Sequence, residues 1–528
     1  MSGVIERVIE NWLISVPERD FQTPFCQLLA LRGQRVVHVS PHGPFEQGKD
    51  VIAVDANDEA HAYQLKVGDI ALQRWRDEVR AEVEELLDLP IVHPSIDKRR
   101  PHRSYLVTTG NLGDPVRREI DDRNEDRRRK GKPVLETETR GQLLKAFVEA
   151  HEDVLPKEVS DLRSFFELYT RPGYYNVPKQ KFAELLTAIL PLDQRAGSIS
   201  RRNLERAGAS ALLLASYLLL TYERAENHWA VAEGWAMTVA HLLAAADRHG
   251  ASSLATTIDL AKSAAFTALE AMKEEALNRT SFFEPCMIDG PFYRYRLTVL
   301  FGYMAAYQLW KKIRGDSDWR DARVNEFFSD LKRDLRLSGE AAIATVLPMY
   351  WYLEASGDRA EAEGLYRAII GGLVDVSTTS EDGVPSPYYS AETLLSAELG
   401  VLDEPIEEGF ALQSYTLLAL ISIGARRGHR STIADKWRRI SKIHCSEFYP
   451  DSSWQFFLWR ANDGELKSAF SAKTQSWAAL QAQAAEVSRA GTIPAQLRAN
   501  PEIVPLLLMV YPHRVRSDVV SFLDGAVG

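Results

Sequence analysis

Between Gly48 and Lys66 the chain reads Gly-Lys-Asp-Val-Ile-Ala-Val-Asp-Ala-Asn-Asp-Glu-Ala-His-Ala-Tyr-Gln-Leu-Lys, and no other stretch restricts the fold as much. Val51 to Val54 are apolar and mostly β-branched, the composition of a buried strand. Asn57-Asp58 supplies turn chemistry, and His61 to Lys66 reads as the returning strand of a hairpin. Side chains alternate along a strand, so Gln64 and Lys66 point to one face, and the turn returns that face to Asp50. An acid, an amide oxygen and an amine therefore converge at the open end of one hairpin, an arrangement suited to a metal ion with a lysine beside it. The plainer reading of the same residues is an exposed hairpin with Asp50 and Lys66 in solvent.

The flanking elements extend the pattern. Residues 4 to 14 form an amphipathic helix, and Pro17-Glu18-Arg19-Asp20-Phe21 starts a second one with proline and acids where a helix N-terminus favours them. Phe21, Phe25, Leu28 and Leu29 give that helix one apolar stripe, and Gly33 caps it. Arg35 to Val39 begins a strand. After Lys66, Leu72, Trp75, Val79, Val83 and Leu86 recur at three- and four-residue spacing and predict a helix over 69–87, with Trp75 in the core. Ser104 to Gly110 is a further strand, Val134-Leu135 a last short one, and Arg140 to Ala150 a helix.

This order, with Asp50 and Gln64-x-Lys66, resembles the PD-(D/E)XK nuclease superfamily and its Mrr-like restriction-endonuclease branch, in which Gln-x-Lys replaces Glu-x-Lys. The resemblance covers about residues 15 to 150. It implies an α/β restriction-endonuclease-like domain with a mixed central sheet flanked by helices, and hydrolysis of DNA phosphodiester bonds with Mg²⁺ or Mn²⁺. Asp50 would be the main metal ligand, joined by the Gln64 side-chain oxygen and the Leu65 main-chain carbonyl. Lys66 would orient or deprotonate the attacking water and steady the developing charge. Gln64 removes a negative charge, which Glu18 or Glu46 could restore; each also reads as an ordinary acid, Glu18 of a helix first turn and Glu46 of a loop. Arg127, Arg128, Arg129 and Lys130 lie in a mixed charge run, solvated and mobile in the plain reading and a set of phosphate contacts in a nuclease.

Composition limits the other choices. With 528 residues and 45% hydrophobic content the chain can bury several cores, and a net charge of −10 argues against coating nucleic acid by bulk attraction. Acids slightly outnumber bases even in the first 150 residues, so a nucleic-acid groove would be a local patch. Cys26, Cys286 and Cys445 are too few and too scattered for a disulfide framework or a thiolate zinc site. No signal peptide is visible, and the most apolar run, Ala209 to Leu220, is shorter than a membrane span. A cytoplasmic protein with no membrane partner is expected.

From about 155 onward strand signals fade into Ala- and Leu-rich helical patterns, broken at 171–173, Pro191, Gly250, Gly315, Gly357 and 377–387. Tyr222, Ala225, Ala230, Ala232, Glu233 and Gly234 are echoed by Tyr352, Ala355, Ala360, Ala362, Glu363 and Gly364. The second set resembles part of a tetratricopeptide-type hairpin, but no strict period persists. The expectation is a boundary at 154/155, followed by an all-α irregular helical-repeat region that divides near 316–337. It holds neither a His-Glu-x-x-His pair nor a phosphate-binding Gly-Lys-Ser/Thr loop. The resemblance and the fusion to a helical region imply the nuclease effector of a prokaryotic anti-phage or anti-plasmid defence system, with the helical region regulating it or docking a partner such as an ATPase or sensor subunit, and room for homo-oligomers. The alternative is a non-catalytic scaffold whose front domain only binds nucleic acid.

Overall fold

The computed structural model describes the chain apart from residues 1, 41–47, 94–95, 98–100, 155–158, 196–197, 251, 279–289, 332–339, 380–411, 459–463, 472–475 and 488–492. Contacts divide it into two compact units, 1–226 with 251–260, and 227–250 with 261–528.

The first unit is built on a mixed five-stranded sheet in the order β1 (Arg35–Val39), β2 (Val51–Val54), β3 (Ala60–Lys66), β4 (His102–Thr108) and β5 (Leu135–Glu138). β1–β2 and β2–β3 pair antiparallel, while β3–β4 and β4–β5 pair parallel. The hairpin forms as its sequence predicts: every residue of β2 and β3 is buried, and Asp58 takes a left-handed φ of 62° in the turn. Parallel neighbours need a crossover, and the sequence supplies one helical segment for each. The first crossover runs through α3 (Leu72–Arg74), a π turn at Trp75–Val79 and α4 (Arg80–Asp88); the second is α5 (Asp114–Arg129). Trp75, Val79, Val83, Leu86, Val116 and Ile120 join Ile52, Ala62 and Leu106 in one core on that face. Trp75 is buried, as its spacing requires, with its indole N–H donating to Glu119 at 2.9 Å.

On the opposite face α2 (Glu18–Leu31) lies against β1, β2 and β3, backed by α1 (Ser2–Ser15), α6 (Arg140–Val154) and α9 (Arg201–Arg224), with α7 (Val159–Tyr169) and α8 (Lys179–Ile189) packed on α9. Trp12 centres this layer, with ring centroids 5.3 Å from Phe147 and 4.9 Å from Tyr217. The packing of α6 and α9 against α1 and α2 explains why the first compact unit extends past the expected boundary at 154/155 to Glu226. Helix α9 is long and apolar enough to cross a membrane, yet 78% of its most apolar window is buried, in keeping with the core-helix reading of Ala209 to Leu220.

The second unit is mainly helical and includes α10 (His228–His249), most of α11 (Ala255–Asn278), α12 (Gly290–Arg314), α13 (Ala322–Leu331), α14 (Ala341–Ser356) and α15 (Arg359–Thr379). It also holds a three-stranded sheet, Gln413–Ser414, His444–Pro450 and Gly464–Ser471, which corrects the expectation of an all-α region. The internal echo falls at two helix–turn–helix junctions: Tyr222 and Tyr352 lie near the ends of α9 and α14, and Ala232 and Ala362 are buried in the helices that follow. The expected division near 316–337 falls partly outside the described residues.

Gly48 joins the layers of the first unit. It has φ +69°, and a Cβ there would sit 2.2 Å from the main-chain oxygen of Glu82 on α4. Only glycine combines that backbone with so close an approach. Gly48→Ala should therefore destabilise the protein by about 2–4 kcal/mol, read as a lower midpoint in urea with an unchanged slope. An unchanged midpoint would show that the loop adapts without moving α4.

Candidate active site

Four elements meet at the end of the sheet where β2 begins and β3 ends. Asp50 directly precedes β2 and is 3% exposed. Its backbone is held from two sides: its N–H donates to Tyr63 O at 2.9 Å, and its C=O accepts from Ser40 N at 2.8 Å and from Gln22 Nε2 of α2 at 3.3 Å. The carboxylate Oδ2 accepts from Gln64 Nε2 at 2.8 Å and from the Leu65 N–H at 2.6 Å. Peptide groups alternate in direction along a strand, so the Tyr63 and Leu65 carbonyls open toward the Asp50 side. Gln64 Oε1 is buried with no hydrogen-bond partner among the described residues. A buried acceptor without a donor costs about 1–3 kcal/mol unless a ligand satisfies it, and an amide oxygen beside a carboxylate is an oxygen donor for a hard divalent cation.

Gln64 and Lys66 share the α4 face, as strand alternation predicts. Lys66 Nζ lies 2.8 Å from Glu82 Oε2 and 3.8 Å from Glu18 Oε1. Burial lowers the affinity of this amine for its proton. The hydrogen bond and charge of Glu82, with the charges of Glu18 and Asp50, outweigh that effect and leave its pKa above the ordinary lysine value. An amine held in its charged form can steady negative charge but is a poor proton acceptor, so of the roles expected for Lys66 the geometry fits the electrostatic one.

Asp50, Gln64, Leu65, Lys66 and Glu18 are thus brought together. Glu46 lies outside the described residues. The basic cluster is not part of this constellation. α5 carries it back along the sheet, and Arg127 is anchored on Asp88 Oδ1 at 2.9 Å and on the Pro133 carbonyl at 2.6 Å. Asp88 lies six residues past Glu82, about 9 Å along α4. Arg129 pairs with Glu125, and Lys130 pairs with Asp126 at 2.5 Å. The run through Arg129 is helical, so the charged segment expected to be mobile is an ordered helix laced by ion pairs spaced four residues apart.

Two residues escaped the sequence reading. Glu82 is one of several acids in Glu82-Val-Glu-Glu85, and only the turn of α4 over β3 distinguishes it. Gln22 sits beside the apolar stripe of α2, one residue after Phe21, at a position that carried no signal. Compared with protein-family models, curated proteins and solved structures, the chain matches none.

Lys49 is buried beside Asp50, with Nζ 3.4 Å from the Glu85 carbonyl oxygen. Burial pulls its pKa from 10.5 down to about 8, against the opposing charge of Glu85. Below pH 8 the folded and unfolded chains both carry this proton, and the folded state bears the full cost of the buried charge. Between about 8 and 10.5 the folded state releases the proton first, so the lysine's contribution to stability rises with pH across that window. Lys49→Met should raise stability at pH 7 by roughly 1–3 kcal/mol, and its advantage over the unmodified protein should shrink toward pH 10. Urea unfolding of both proteins at several pH values checks this; a constant difference would mean that Lys49 is not desolvated.

Proposed function

We propose that the first unit is a restriction-endonuclease-like domain that hydrolyses phosphodiester bonds of DNA with Mg²⁺ or Mn²⁺. The observation that carries this reading is the convergence of the Asp50 carboxylate, the unsatisfied Gln64 oxygen and the charged Lys66 at one end of the mixed sheet. The donor set fits a hard cation: Asp50, the Gln64 side-chain oxygen and the Leu65 carbonyl would hold it, with Glu82 and Glu18 adding negative charge nearby. Such an ion, when bound, supplies Lewis acidity toward the phosphate and a more acidic water.

The chain's own residues then have distinct tasks. Gln22 and the Leu65 N–H fix the backbone and carboxylate of Asp50. Glu82 and Glu18 hold Lys66 charged and aimed, and Lys66 stabilises the charge that grows on the phosphate oxygens. Glu82 also takes over from a different element the negative charge that Gln64 lacks. DNA as substrate rests on the family resemblance, a role in defence on that resemblance and the fusion to a helical region, and a cytoplasmic location on the few, scattered cysteines. The helical second unit then serves as an irregular helical-repeat platform for an ATPase or sensor partner. One observation favours a second reading, a nucleic-acid-binding scaffold without catalysis: Asp50 is already engaged by the Gln64 amide, and Gln64 contributes no charge of its own.

Incubating the full chain with supercoiled plasmid and Mg²⁺ or Mn²⁺ separates the two. Asp50→Ala and Lys66→Ala should each slow nicking by about a hundredfold or more, and Glu82→Gln by about tenfold. Chelation should abolish it. Nicking that is equal in all variants would trace the activity to a contaminant. DNA binding with no cutting under any metal would leave the scaffold reading.

A further inference from the structure

The other end of the same hairpin carries a second constellation. Asp55 Oδ1 accepts the backbone N–H groups of Asn57 and Glu59, each at 2.9 Å, and so ties the turn. Its second oxygen, Oδ2, faces His61 Nε2 at 3.6 Å. His61 is 3% exposed, and that nitrogen is buried without a hydrogen-bond partner among the described residues. The ring is held in place by stacking on Tyr63 and Tyr105, and its Nδ1 lies 3.3 Å from the Tyr105 hydroxyl. One oxygen each from Asp55 and Glu59 and one ring nitrogen of His61 lie within 4.8 Å of one another, the one such group of potential ligands among the described residues.

A separation of 3.6 Å is long for a hydrogen bond. It suits two donors that share one ion at about 2.0–2.2 Å each, as zinc takes histidine nitrogen and carboxylate oxygen. We propose that Asp55, Glu59 and His61 form a zinc-class divalent-metal site that pins the β2–β3 turn, with water in the fourth position. An Nδ1–H donated to the Tyr105 oxygen leaves the Nε2 lone pair for the ion, the outer-sphere support that metal-bound histidines ordinarily have. Imidazole among the donors selects a transition metal over Mg²⁺. Arg103, which pairs with His61 across the strands, has its charge met by Glu136 at 2.5 Å. Residues 51–54 of β2 separate Asp55 from Asp50, about 17 Å along the strand. The inference is therefore independent of whether the Asp50 site is catalytic.

The test is titration of the chelator-treated full chain with Zn²⁺, followed by calorimetry and by the melting temperature. Wild type and Asp50→Ala should each bind one ion at this site and melt at a higher temperature with it. Glu59 is exposed, so Glu59→Gln should fold normally while zinc affinity falls at least about tenfold. Glu59→His, which restores a donor, should recover binding. Zinc affinity that is equal in wild type and Glu59→Gln overturns the proposal, as does loss of the ion in Asp50→Ala or no saturable binding by wild type.

Discussion

The ion pairs of Lys66 organise the candidate site. A lysine at the end of a strand buried on both faces loses much of its hydration, and an uncompensated buried ammonium costs several kcal/mol. This chain compensates it with carboxylates from two layers: Glu82 from α4 on one face of the sheet and Glu18 from the first turn of α2 on the other. The two helices thus meet at the charged end of β3. Gly48 lets the loop before β2 approach α4 closely, and Gln22 ties α2 to the Asp50 backbone. One buried charge is in this way coupled to the register of the hairpin and to the placement of two helices.

The second unit contains a comparable case of a buried charge met by directed donors. Glu340, just before α14, is buried and accepts from the hydroxyls of Ser414 and Thr416 and from the Tyr415 N–H at 3.0 Å. Burial nonetheless pushes its pKa up to about 7. Residues 414–416 are far from Glu340 in sequence, so a single carboxyl joins the start of a helix to the edge of the small sheet. Helical periodicity carries no trace of such a link, since it arises only once the chain has folded back.

What could be read from the sequence follows the range of the interaction. Strand alternation put Gln64 and Lys66 on one face, and the apolar spacing of Trp75, Val79, Val83 and Leu86 set the buried stripe of the crossover helix; both are local periodicities. Glu82 was not legible, because it lies among other acids beside that stripe and its role depends on contact with β3. The strand at His444–Pro450 escaped for a related reason. Its burial alternates poorly, and its neighbours come from 413–414 and 464–471, so pairing rather than composition makes it a strand. The extension of the first unit to Glu226 likewise depends on α9 meeting α2, a contact between residues nearly two hundred positions apart. Arg127, Arg129 and Lys130 read as part of a basic cluster because sequence displays their charge and conceals their partners.

The charge balance at the end of β3 bears on what an uncharged Gln64 does there. Asp50, Glu18 and Glu82 set three carboxylates against the ammonium groups of Lys66 and of Lys49, which is buried beside Asp50, so the formal excess is one negative charge. A glutamate at position 64 would add a further negative charge beside Asp50, and mutual repulsion among the carboxylates would rise. Glu82 sets its negative charge on α4 beside Lys66, where it holds the amine protonated. In the proposed hydrolase that arrangement assigns Lys66 to charge stabilisation. Removal of the water's proton then falls to one of the oxygen groups around Asp50 or to solvent, because a lysine whose pKa is raised by its partners has little tendency to accept it.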